Sequence, residues 1–116
     1  MRKRLALAAL LFAALPATVA AHHGWSSYDA NRTITHQGTL TELSWSNPHG
    51  TAKTNYQGRS WDVILAPVSR MEARGLSEAM IRPGQRITLV GYPRRDGTAE
   101  MRIERVIVGN ATVELR

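Results

Sequence analysis

Apolar and polar residues alternate along most of this chain, at the two-residue spacing of half-buried strands. The longest such run covers residues 34–45. Ile34, His36, Gly38 and Leu40 share one face, whereas Leu43 and Trp45 take the opposite parity. Both sets can face one core only if the register shifts near Thr41-Glu42, so a bulge is predicted there. Gly38 allows the run to bend. Asn47-Pro48 ends it, because proline lacks an N–H and restricts the residue before it. Residues 51–56 read as a polar second strand at an edge, followed by a turn at Gln57-Gly58-Arg59. Residues 61–66 form the third strand, with Trp61, Val63 and Leu65 pointing one way.

Residues 67–74 read as a short helix. Pro67 suits its first position, Gly75 its end, and Val68 and Met71 share a face. Ser77 then caps another turn through Ile81. Residues 85–92 and 100–108 are the fourth and fifth strands. In the fifth, Met101 and Ile103 oppose Val106 and Val108 in parity, which predicts a second bulge near Glu104-Arg105. A last short strand covers 112–115. The order strand, strand, strand, helix, strand, strand predicts a mainly β fold. The expected form is an OB-like five-stranded antiparallel barrel with one short helix between strands three and four. An open antiparallel α+β sheet is the alternative. The expected core is Ile34, Leu40, Leu43, Val63, Leu65, Ile87, Leu89, Ile103 and Val106.

The start of the chain departs from this pattern. Arg2-Lys3-Arg4 is followed by an uncharged apolar run over 5–15, Pro16, and the small residues of 17–21. That is the layout of a secretory signal peptide, too short to span a membrane as a helix. The predicted organisation is a signal peptide over 1–21, an N-terminal arm over 22–32 and one β domain over 33–116. The protein is therefore expected to be periplasmic or secreted. The signal holds three of the fifteen Lys and Arg and none of the nine Asp and Glu. Twelve then remain against nine, so the net charge falls from +6 to +3 on removal of the signal. No cysteine is present, which excludes a disulfide and a cysteine-linked lipid anchor.

Three of the four histidines lie in two short places, His22-His23 on the arm and His49 after Pro48. Imidazoles suit copper(II), zinc(II) and nickel(II), and square-planar nitrogen sets favour copper(II). Cleavage after Ala21 would make His22 the first residue, whose amine and ring chelate one ion together. Cleavage after Ala20 would make His23 the third residue, where amine, backbone amides and imidazole bind copper(II). His22, His23 and His49 are thus the candidate metal ligands, and copper the candidate cofactor. The bland readings are a solvated arm for the pair and a capped turn for His49. Trp25, Tyr28, Trp45 and Asn47 are the candidate ligand-binding residues, with Trp25 and Tyr28 also able to dock the arm through their apolar rings. A non-catalytic adaptor for an envelope protein, glycan or small ligand is the alternative function. Nucleic-acid binding through aromatics and cations ranks third, since export removes the substrate and the mature charge is small. No nucleophile elbow and no Gly-rich phosphate loop frames an active site, so the reading is not an enzyme.

His22-His23-Gly24-Trp25, Tyr28-Asp29, Gly38-Thr39-Leu40, Trp45-Ser46-Asn47-Pro48-His49, Trp61, Pro83-Gly84 and Gly91-Tyr92-Pro93 together resemble a family. It is a set of small exported bacterial proteins classed as a domain of unknown function. The resemblance runs from His22 to Leu115. It implies an exported, OB-like domain and no established activity.

Overall fold

The structure, a computed structural model, describes residues 24–116. A 3-10 turn at Trp25–Ser27 precedes β1 (Ile34–Gly38), β2 (Thr41–Ser44), β3 (Thr51–Tyr56) and β4 (Arg59–Ile64). Helix α1 (Val68–Ala73) and a second 3-10 turn (Glu78–Ile81) lead to β5 (Ile87–Pro93), β6 (Glu100–Val108) and β7 (Ala111–Glu114). The strands form one curled, half-barrel sheet in the order β1-β5-β6-β4-β3-β2, with β7 added to β6.

The expected count of five antiparallel strands is therefore corrected to seven, for three reasons. The first run divides into β1 and β2, and Glu42 takes a left-handed φ of 48° at the break in the β2–β3 register. The last segment is a full strand, paired with Arg105 to Val108. The sheet is also not wholly antiparallel, since β4 runs parallel to β6 through Asp62↔Glu100, Val63↔Met101 and Ile64↔Arg102. Nor is β3 an edge, because β2 and β4 flank it.

Both expected bulges are present. The first lies between Thr41 and Ser44. The second falls where Val90 pairs with Arg105 but Gly91 pairs with Ile103, leaving Glu104 as the extra residue on β6. That insertion turns Met101, Ile103 and Val106 to one side, and all three are buried. Eight of the nine expected core residues are buried, and Leu43 packs half-buried against them. Met71 on α1 and Ile81 on the second 3-10 turn close one end of the core.

Arg70 on α1 and Arg74 just after it reach the C-terminal end of β7 and the residues beyond. Arg70 Nη1 donates to the Leu115 carbonyl at 3.2 Å, and Arg74 Nη1 donates to those of Glu114 (2.9 Å) and Arg116 (2.7 Å).

Candidate functional site

The segment just after Gly24 is fixed to the sheet by backbone and side-chain bonds. Tyr28 bridges to Arg94, the Asp29 N–H donates to the Pro93 carbonyl at 2.8 Å, and the Arg95 N–H donates to the Ser27 carbonyl at 3.0 Å. Arg95 Nε adds a bond to the Ser26 carbonyl at 2.9 Å. Tyr28 is only 3% exposed. Its hydroxyl donates to Glu100 Oε2 at 2.7 Å, and the same oxygen accepts from Arg94 Nη1 at 3.2 Å. Burial and this bond to a carboxylate hold the Tyr28 hydroxyl well above its ordinary pKa, so it stays a donor.

Trp25 lies beside this anchor, half-buried. Its ring meets Tyr92 edge-on with centroids 6.2 Å apart and Tyr28 at 6.5 Å. The guanidinium carbons of Arg102 and Arg116 stand 4.4 and 4.7 Å from its centroid. Tyr92 donates to Glu104 Oε2 at 2.8 Å, and Arg116 Nη1 lies 3.6 Å from the other oxygen of that carboxylate. Sequence reasoning found Trp25 and Tyr28 but not Arg102 or Arg116. Alternation does put Arg102 on the outer face, opposite Met101 and Ile103. Nothing in the sequence places two guanidiniums on one indole.

The remaining candidates lie elsewhere. Trp45 packs against the core and its Nε1 donates to Glu72 Oε1 on α1 at 3.4 Å. Asn47 is exposed, and its peptide bond to Pro48 is cis. His49 is half-buried, with Nδ1 3.3 Å from the Gly50 carbonyl oxygen. Gly50 holds this turn onto β4, donating to the Ala66 carbonyl and accepting from the Leu65 N–H, both at 2.9 Å. His22 and His23 lie outside the described residues. Among the described residues, no group of three or more His, Asp or Glu side chains comes together to hold a metal ion.

His36, expected simply as a strand residue, points into the curl of the sheet. Its ring meets Tyr56 edge-on at 5.1 Å, and Tyr56 meets Trp61 likewise at 5.6 Å. Thr54 is 2% exposed and its hydroxyl donates to the Thr39 carbonyl at 2.9 Å. The Thr54 oxygen therefore accepts from His36 Nε2–H, 3.1 Å away. Burial first, and the charge of Arg86 second, hold the His36 pKa below its usual 6.5. Above that value His36 is neutral whether the chain is folded or unfolded. Below it the unfolded chain takes up a proton that the folded one resists, so stability falls as pH drops from about 6.5 and levels off below the folded pKa. Thermal melts at about pH 7.5 and pH 5 should show a smaller difference in His36→Gln than in the unaltered protein. An equal difference would place the titration elsewhere.

The model of a family of unknown function (DUF6152) matches residues 9–102. The chain belongs to this family. The DUF6152 match takes in His22, His23, the Trp25–Tyr28 anchor and His49, and ends at Arg102, before β7 begins. No curated protein matches the chain.

Proposed function

We propose that this is an exported, non-catalytic binding protein of OB-like topology that holds copper(II) through His22 and His23. Two features support the topology. The sheet path begins and ends on β1 and β2, which are separated only by Thr39 and Leu40, and α1 falls between β4 and β5. The observation that carries the metal reading is the buried Tyr28 anchor. It fixes the chain at Tyr28, five residues after His23 in the sequence.

Strand register supports His49 as a candidate further ligand. Thr51, Ile64 and Arg102 lie in one row across β3, β4 and β6. Two strand spacings span about 10 Å. Trp25 stacks at the Arg102 end, and His49 is two residues before Thr51. Three residues of chain, from Trp25 back to His22, reach at most about 10 Å. Arg102 and Arg116 repel a cation here, so binding relies on the donor strength of amine and imidazole.

Two measurements test the reading. Mass spectrometry of the envelope or secreted protein should find His22 or Ala21 as the first residue, and an intact Met1 there would end both the export and the amine-chelate arguments. Calorimetric titration of the processed protein with copper(II) should then show at least tenfold weaker binding when one residue is added before the natural N-terminus. Loss on extension alone means a local site at His22 and His23. Loss also in His49→Ala makes His49 a further ligand. Binding no tighter than that of an unfolded His-containing peptide would end the metal reading. An adaptor role for Trp25, Tyr28, Trp45 and Asn47 would then lead.

A further inference from the structure

We infer that a cleft across β1, β5 and β6 binds a small organic carboxylate, independently of any metal at the histidines. Three adjacent strands each send one side chain to it, because Gln37 pairs with Thr88 and Thr88 with Ile107. Ile87 and Leu89 are buried in the core, so Arg86 and Thr88 share the outer face by alternation. The cleft has a volume of about 300 Å³ and is lined by Gln37, Arg86, Ile87, Thr88, Ile107 and Gly109. That is the lower end of the range for small-molecule sites. Gly109 adds no side chain, and a Cβ built there would meet nothing within 4 Å, so this end stays open to a ligand.

The lining carries one charge. Arg86 is exposed, and no Asp or Glu borders the cleft. Among the described residues its guanidinium forms no ion pair. A guanidinium presents paired N–H groups that match the two oxygens of one carboxylate. The Thr88 hydroxyl and the Gln37 amide are further donors in the same row. Ile107 offers an apolar surface to the rest of the ligand. With no second cation in the lining, a single fork suits a carboxylate better than a phosphate, whose oxygens fill more than one. The ion pair is exposed to water, so affinity is modest, and burial of a short apolar body adds to it. Arg86 also acts on His36, next to Gln37 on β1. Burial first, and the Arg86 charge second, hold the His36 pKa down. An anion on Arg86 offsets that charge, so the His36 pKa is expected to rise when the ligand binds.

Butyrate is the probe, exchanged for chloride at constant ionic strength so that screening does not change. Titration of chelator-washed, processed protein followed by NMR should give saturable shifts at Arg86, Thr88 and Gly109, and a higher His36 pKa. A millimolar dissociation constant suits so small a molecule. Arg86→Gln should weaken binding at least about tenfold and abolish the effect on His36, and Thr88→Val should weaken it about fivefold. Arg59→Gln should not, because Arg59 lies over Trp61 and outside the cleft. Both arginines are exposed, so neither substitution disturbs the core. Butyramide has nearly the same shape without the charge, and should bind at least about tenfold more weakly than butyrate. Equal binding of the two would overturn the inference. So would equal weakening by Arg59→Gln, which would mean diffuse charge, or the absence of any saturable shift at the cleft.

Discussion

Val63→Asp is expected to destabilise the domain by several kcal/mol. Val63 is fully buried in β4, flanked by Ala52 on β3 and Met101 on β6. Its side chain points into the shared core, where the neighbours are apolar. A carboxylate there either stays ionised without a partner or takes up a proton and leaves a buried acid unsatisfied; each costs several kcal/mol. A domain of this size has about 5–14 kcal/mol of stability to lose. Val63→Ala, which only deletes methyl groups, should cost about 2 kcal/mol and remain folded. Urea titrations followed by circular dichroism distinguish the three proteins. An unchanged transition in Val63→Asp would mean that Val63 does not face the core.

Gly91→Ala comes second, and works through the backbone. Gly91 sits in β5 beside the Glu104 bulge, where it pairs with Ile103. A Cβ at this position would run into the Arg102 carbonyl and lie 3.1 Å from the Ile103 Cα. Neither can swing aside like a side-chain tip, because both belong to the paired strand. The two central strands would have to separate locally, and we expect a loss of about 3 kcal/mol or more. Gly97→Ala is a useful comparison. Gly97 has φ +84 in an exposed turn with open space around it, so its cost is conformational only, about 1 kcal/mol. If the two substitutions cost the same, the close approach at Gly91 is not what selects glycine.

The sequence made the bulges legible, because a change of apolar parity within one strand has few other solutions. Leu40 against Leu43, and Ile103 against Val106, each pointed to the residue where the register shifts. Strand number was harder to read. Whether a run of residues with one kink counts as one strand or two depends on the backbone angle at Glu42, which side-chain type barely constrains. The parallel contact of β4 with β6 joins segments about forty residues apart, and no local pattern records it. For the candidate site, Trp25 and Tyr28 stood out as large rings on an otherwise polar arm. Their partners did not. Arg94, Glu100, Arg102 and Arg116 look like ordinary solvated charges until the fold brings the arm over them. His36 was ambiguous for a related reason, since an imidazole on an inward position is acceptable only when a buried hydroxyl such as that of Thr54 awaits it.

The contact between Trp25 and Arg116 means that the described chain closes on itself. Trp25 touches Arg116, and Arg70 and Arg74 bond to the carbonyls of Glu114, Leu115 and Arg116. A short linker from 116 to 24 would therefore join the ends without crossing the core. New ends opened at the exposed Gln57-Gly58 turn would cut no side-chain packing. The order in which the seven strands are threaded is then separable from the architecture they make, and a circular permutant would keep every pair in the sheet.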